Sequence, residues 1–522
     1  MARLHKWANW LAFPVGAALS LAFAPFNIWP LAVICPALLM LAWTDATPRR
    51  AALLGFLFSS GTFLAGTYWL YHSVYVIGQA PLPVALLLML GLVAIMGAYA
   101  ALLGYCQARW LPTNGLVRYV LALPAAWVFV EWLRGWLFSG FPWLSLGYAG
   151  IDTWLAAYAP IGGVYTLSVL FAAAAGALAF AAQALIARND NEQNAFDAIR
   201  PMFRIGILAV ALPWLIGWPL RSHEWTTPSN GPVSVAVVQG AVPQEMKWSQ
   251  EQHDATLKLY RDLTVPHWGT QIIVWPESSL PNWAESLTEY LTNLWQEANR
   301  HGSQIVMGIQ HYDSKTDAAF NSVLALSDHA EWYNKRHLVP FGEYFPVPAW
   351  VRNWMRMMSL PHSDFASGAD KQPPLTVAGQ SIGVTICYED AYGSAQLSVL
   401  DQATLLVNVT NDAWFGDSTA RHQHLQISRM RALEAGRPLL RAANDGISAI
   451  IDAQGMLVAQ LPSFKPDVLS GTVQPRVGLT PYARVGNWPV IIYCLAALLM
   501  CGFYRLRLDQ RPYLASPNQV IK

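Results

Sequence analysis

The sequence predicts a polytopic α-helical membrane domain joined to one α/β domain held outside the bilayer. Three observations predict it. The 522 residues are 54% apolar and only 12% charged, where soluble domains carry about 25% charged residues. Long apolar runs fill the first 220 residues and return near the end. The interval between them alternates short β-type runs with helical stretches. A formal net charge of +1 offers no basic face or stripe, so no nucleic-acid partner is expected.

Apolar runs of bilayer-spanning length cover residues 8–25, 28–44, 51–71, 83–106, 119–138, 163–187, 204–220 and 488–505. The third is interrupted by small and polar residues, and the fifth contains Glu131 and Arg134. The basic start "MARLHK" and the "AFA" at 22–24 mimic a cleaved signal peptide. A second run follows within a few residues, so the first is expected to stay as a span. Lysines and arginines fix the orientation. Arg3 and Lys6, Arg49 and Arg50, Arg109 and Arg118, Arg188, Arg200 and Arg204, and the tail "YRLRLDQR" fall on every second side, which is therefore cytoplasmic. The loops "PFNIWP" and "YHSVYVIGQAPL" carry neither residue. The expected organisation is a membrane domain of seven transmembrane helices at 1–220, an exported domain at 221–487, and an eighth helix with a cytoplasmic tail at 488–522. In a bacterium the exported side is the periplasm, and the membrane is the inner one.

The exported interval reads as strands at "VSVAVVQG", "QIIVWPE", "SQIVMGIQ", "NSVLALS", "SIGVTICYE" and "ATLLVNVTN", with helices near 282–300 and 419–435. Such alternation implies sheet layers covered by helices. About 265 residues suffice for a core without disulfides. Of the five cysteines, Cys35, Cys106, Cys494 and Cys501 lie in or beside apolar runs, where a small soft residue packs. Only Cys387 lies in the exported domain. A lone cysteine there is either buried and inert or kept for reactivity.

Two further segments end a β-type run in polar groups: "IIVWPESS" with Glu277, and "YNKRHLVPFGE" with Lys335 and then Glu343. Strand ends at one edge of a sheet bring such residues together. A nearby ammonium favours thiolate, a carboxylate removes the thiol proton, and Lys335 with the backbone N–H of Tyr388 would stabilise an oxyanion.

With "WPES", "YNKRHLVPFGE" and "ICYE", the chain resembles the nitrilase superfamily, whose Glu-Lys-Cys triad maps onto Glu277, Lys335 and Cys387. It is most similar to the membrane-embedded apolipoprotein N-acyltransferase family, through "RGW", "SGFPWLSLGY", "VQGAVPQEMKW", "TNDAWFG", "SRMRALEAGRPLLRAANDGISA" and "GLTPYARVGNWP". The resemblance implies an αββα sandwich and a two-step transfer without a cofactor. Cys387 would take an acyl chain from a phospholipid as a thioester. The α-amine of a diacylglyceryl-cysteine at a lipoprotein N-terminus would then accept it. Glu277 would be the base, Lys335 would support the tetrahedral intermediates, Glu343 would position Lys335, and Tyr388 and Glu389 would support the nucleophile. A transporter would not need this triad in an exported domain. A membrane-anchored amidase would use the same triad with water as acceptor.

Some features lie outside this set. Trp248 is a candidate for substrate binding or a lid. The segment 346–361 reads as a helix after Pro348 with Trp350, Trp354 and Met357 or Met358 on one face and Arg352 and Arg356 on the other. That pattern suits a lid at the membrane surface. His422 and His424, two apart on a helix, point away from each other, so a structural role and no metal is expected. Glu131 and Arg134, three apart, read as an intrahelical pair. Trp143 and Tyr148 are expected at the membrane interface.

Overall fold

The computed structural model describes residues 2–113, 115–189, 193–244, 247, 252–344 and 365–509. Helix occupies every one of the eight apolar runs: α1 Ala2–Leu19, α2 Leu31–Ala42, α3 Pro48–Gly66, α4 Leu82–Trp110, α5 Leu123–Arg134, α6 Ala159–Asn189, α7 Gln193–Leu220 and, beyond the sheets, Trp488–Asp509. Among the described residues three helical stretches are long and apolar enough to cross a membrane, namely Leu82–Trp110, Trp154–Ile186 and Trp488–Arg507. A bent pair, Pro48–Gly66 with Trp69–Ile77 at 56°, would make a fourth if it is counted as one broken span. That bend falls where polar residues interrupt the third run. Prolines sit at the starts of α3 and α4, where a missing N–H costs nothing, and Pro124 follows directly on a π-helical turn, Arg118–Ala122, that leads into α5. Small residues let α1 and α3 touch: a Cβ on Gly16 would lie 1.8 Å from the Phe58 carbonyl oxygen.

The α/β domain is built on strands β1 Thr227–Pro228, β2 Val233–Gln239, β3 Ile272–Trp275, β4 Gln304–Asp313, β5 Ala318–Leu326, β6 Ala330–Asn334, β7 Leu375–Val377, β8 Gln380–Ile386, β9 Leu405–Thr410, β10 Leu439–Ala443, β11 Ala449–Ile451, β12 Leu457–Gln460, β13 Asp467–Val473 and β14 Arg476–Val477. Two six-stranded sheets form, in the orders β13-β2-β3-β4-β5-β6 and β12-β11-β10-β9-β8-β7, while β1 and β14 make a separate ladder. In the first sheet β2, β3 and β4 run parallel, as do β8, β9 and β10 in the second. The β-branched runs explain this burial on both faces. Val235, Val237, Val274, Val323, Val384, Val407 and Leu440 share the core between the sheets. Their neighbours Ala236, Ile273, Ile305 and Leu406, Leu439 face outward, alternating as strands must.

Each outer face carries a helical layer, which makes an αββα sandwich. Helices α8 His253–Thr264 and α9 Thr288–Arg300 cover the first sheet. The expected helix at 282–300 begins at Thr288, after a short turn over Ala284–Leu287. Helix α10 Ala420–Ala435 covers the second sheet through Leu425, Ala432 and Ala435. Its other side, with Ala420, Ile427 and Met430, packs in one cluster with the membrane helices. Polar contacts across this junction are direct. Trp143 Nε1 donates to Gln423 Oε1 at 2.7 Å, Ala24 N to Gln426 Oε1 at 3.2 Å, and Val164 N to Glu434 Oε1 at 2.7 Å.

The structure corrects two expectations about the helical domain. Glu131 and Arg134 bond the loop after α5 rather than each other: Glu131 Oε1 accepts from Leu146 N at 2.9 Å, and Arg134 donates to Trp143 O at 2.7 Å. Charged groups placed among helices satisfy backbone that would otherwise be unpaired. Trp143 and Tyr148 are 1% and 2% exposed, so they fill the junction between the domains rather than the lipid interface.

Candidate active site

Glu277, Lys335 and Cys387 each follow a strand directly. Glu277 comes two residues after β3, Lys335 one after β6, and Cys387 one after β8. The first two therefore belong to one sheet and the cysteine to the other. The turn carrying Glu277 lies on β4 where Gly308 has no side chain: a Cβ there would meet Glu277 Cα at 2.5 Å. Ser279 N closes the turn onto Gly308 O at 2.8 Å.

The acids and the lysine form one buried group. Lys335 Nζ lies 2.8 Å from Glu343 Oε1 and 3.5 Å from Glu277 Oε1. Asn321, on β5, donates from Nδ2 to Glu277 Oε1 at 2.7 Å and Glu343 Oε1 at 2.8 Å. Glu343 Oε2 accepts from Val339 N at 2.8 Å, which fixes the loop after Lys335. Burial opposes the Lys335 charge, but Glu343, Glu277 and Cys387 outweigh it, so its ammonium is held well above its ordinary proton affinity. The surrounding acids thus favour the charged form of Lys335.

Cys387 stands in the left-handed region, at φ 52°, where the strand breaks into a 3₁₀ turn over Cys387–Ala391. Burial first, and then the Glu277 charge, push its thiol well up, and Lys335 offsets only part of this. Of the two influences on the thiol, desolvation exceeds the pull of the ammonium.

Glu389 ties both sides of the site together. Its Oε2 accepts from Ile386 N at 2.8 Å and Tyr333 OH at 3.0 Å, and its Oε1 from Arg336 N at 2.7 Å and His337 N at 3.1 Å. One carboxylate thereby clamps the Cys387 turn to the lysine loop. The Tyr388 ring stacks on Phe141 and Trp143, at 6.3 and 6.1 Å between centroids, and its hydroxyl donates to Gly140 O at 3.3 Å. Trp248, Trp350, Trp354 and the 346–361 segment lie outside the described residues.

Several residues at this site escaped the sequence reading. Asn321 is a lone amide in the apolar run "NSVLALS", and that break in the pattern was the available signal. Lys247 is buried, with Nζ donating to the Glu277 carbonyl at 3.2 Å, and burial pulls it down to about 8. Nothing in its local sequence marks it as buried. His422 is half-buried on α10, while His424 lies fully buried between Asp390 and Asp412.

A glutamate, lysine and cysteine at converging strand ends of an αββα sandwich define the carbon-nitrogen hydrolase class. Residues 234–482 match the Carbon-nitrogen hydrolase family, and residues 15–177 match the Apolipoprotein N-acyltransferase N-terminal domain. The chain is 40% identical over 498 residues to the apolipoprotein N-acyltransferase of Methylococcus capsulatus, covering 95% of this chain and 96% of that protein. To those of Azotobacter vinelandii and Vibrio parahaemolyticus it is 38% and 36% identical, covering 98% and 95% of this chain and 97% of each relative. The chain belongs to the apolipoprotein N-acyltransferase family, and it is a membrane-associated acyltransferase.

Proposed function

We propose that this chain N-acylates lipoproteins, moving an acyl chain from a membrane phospholipid through a Cys387 thioester to the α-amine of a diacylglyceryl-cysteine. The observation that carries this reading is the joining of an acyltransferase-type membrane domain to a buried Glu277-Lys335-Cys387 group over nearly the whole length of the family. Glu277 takes the thiol proton as sulfur attacks the ester carbonyl. The resulting oxyanion faces the Lys335 ammonium and the Tyr388 N–H. Collapse expels the lysophospholipid alkoxide, which takes the proton back from Glu277. In the second half, the neutral amine attacks the thioester and gives its proton to Glu277. The Cys387 thiolate leaves and is reprotonated. A membrane-anchored amidase would hydrolyse the same thioester, and the family of the relatives speaks against it.

We further propose seven spans before residue 221 and one after 487, with the sandwich on the periplasmic face of a bacterial inner membrane. The alternation of arginine-bearing and arginine-free loops supports this orientation. The test uses purified protein in vesicles with phospholipid labelled in its acyl chain. Acyl-Cys387 should accumulate without acceptor, as detected by peptide mass spectrometry, and discharge when a diacylated lipopeptide is added. Release of free fatty acid at the same rate with and without lipopeptide would instead support the amidase.

A further inference from the structure

A second charged cluster, fully buried, grips the backbone of Cys387. His424 Nδ1 lies 2.9 Å from Asp412 Oδ1, and Nε2 lies 2.9 Å from Asp390 Oδ1 and 3.2 Å from Cys387 O. All three partners are acceptors, so both ring nitrogens donate and the ring is an imidazolium. Arg441 supplies the second cation, donating to Asp412 Oδ2 at 2.9 Å, Asn408 Oδ1 at 2.7 Å and Ser428 Oγ at 2.9 Å. Ser428 in turn donates to Asp390. Two carboxylates face two cations, a balance that burial of charge requires. Burial and Arg441 oppose the His424 charge, and Asp390 and Asp412 outweigh them, which pushes the ring up to about 9.

The Cys387 carbonyl receives two side-chain donors, His424 Nε2 and Asn408 Nδ2, the latter at 3.4 Å. A β-carbon residue at φ 52° needs such outside support. The peptide joining residues 387 and 388 is planar and trans, so its C=O and N–H point in opposite directions. Fixing the carbonyl therefore aims the Tyr388 N–H. That N–H belongs to the second residue of a 3₁₀ turn, ahead of the first donor that bonds inside the turn.

We propose that His424 is a positioning residue that aims the Tyr388 N–H at the oxyanion by holding the Cys387 carbonyl from the opposite side. It rests on the thioester reading of the site. Its role is distinct from activating the thiol, and chemistry separates the two. Acylation passes through an oxyanion, whereas alkylation of Cys387 by iodoacetamide is a displacement at a saturated carbon and forms none.

Two isosteric halves of histidine make the test. His424→Asn keeps an amide near Nδ1, facing Asp412, and loses the donor to the carbonyl; His424→Gln keeps a donor near Nε2. Acyl-enzyme formation from vesicle phospholipid should fall about 10²-fold in His424→Asn, while its iodoacetamide rate stays near that of the unsubstituted enzyme. His424→Gln should recover most of the acylation. The proposal is overturned if alkylation falls in step with acylation, if both variants lose acylation equally, or if neither does. Should His424→Asn not fold, Asn408→Ala removes the other donor to the same carbonyl and must give the same split. Cys387→Ala checks the underlying reading separately: acyl transfer persisting there defeats the thioester, whatever the His424 variants do.

Discussion

The two halves of the sandwich present similar sheets to each other but differ in what backs them. The sheet that carries Glu277, Asn321 and Lys335 is backed by α8 and α9, whose buried positions Thr256, Tyr260, Thr264 and Leu291, Leu294, Ala298 form single stripes. Their other faces meet solvent, as amphipathic surface helices do. The sheet that carries Cys387 is backed by α10, in which fourteen of sixteen residues are buried. Among them are Arg421, Gln423, His424, Gln426, Ser428, Arg431 and Glu434. These polar side chains are buried because each side of the helix has a partner, the sheet on one and the membrane helices on the other. The difference teaches that the Cys387 half is packed onto the membrane domain through its covering helix, while the Glu277 and Lys335 half turns its covering helices to water.

The largest effects should divide along that line at the chemistry itself. Cys387→Ala should lower acyl transfer by at least about 10³-fold. Cys35→Ala and Cys106→Ala, in the membrane helices, should leave transfer of labelled acyl chains to a lipopeptide nearly unchanged. Transfer surviving Cys387→Ala would remove the nucleophile from this half. On the opposite sheet, Glu277→Gln should slow acyl-enzyme formation by about 10²- to 10⁴-fold. Normal acyl-enzyme accumulation in that variant would make Glu277 structural and leave the two halves chemically unequal.

The next effects concern the junction. Gln423→Leu strands the Trp143 indole N–H and the Gly66 carbonyl, which Gln423 contacts at 2.7 and 3.2 Å. It should cost about 1–3 kcal/mol, read as a fall in melting temperature. An unchanged melting temperature would mean that the Gln423 contacts add nothing to the junction. His424 makes the same layer sensitive to pH. Its folded-state affinity, about 9 against an ordinary 6.5, is raised, so its contribution is complete below the unfolded value and is lost as pH rises through about 9. The ring faces Asp390, Asp412, Arg441 and the Cys387 carbonyl. The melting-temperature gap between the unsubstituted protein and His424→Gln should therefore narrow from about pH 6 to about pH 10. A gap that holds constant would show a neutral ring.

The same contrast explains what could be read beforehand. The runs "IIVW" and "SIGVTI" are continuous and β-branched because both their faces are buried, so they announce central strands and place Glu277 and Cys387 at strand ends. Helix α10 hides its burial, since Arg431 and Glu434 look solvent-facing until the partners that satisfy them are known. Val164 N and Tyr148 OH, which serve those two side chains, are 270 and 283 residues away in sequence. Short strands such as β7 and β11, of three residues each, carry too little pattern to detect. Glu131 and Arg134 misled for a related reason: spacing along one helix suggests a local pair, but the loop they hold lies beyond the helix end.

The smallest effect should fall on the water-facing layer. Arg261 on α8 meets Glu297 on α9 at 3.2 Å, with side chains 53% and 28% exposed. It is the counterpart, on that layer, of the polar contacts of α10. Water screens the pair, and ordering two long side chains costs entropy. Glu297→Gln should therefore change stability by no more than about 1 kcal/mol, and leave acyl transfer at its ordinary rate. Because Arg261 keeps its exposure after the substitution, no charge is stranded, unlike the indole N–H left by Gln423→Leu. Added salt should shrink even this small difference. A Glu297→Gln loss as large as that of Gln423→Leu, insensitive to salt, would break the contrast between the two layers and assign α8 and α9 a covered surface of their own.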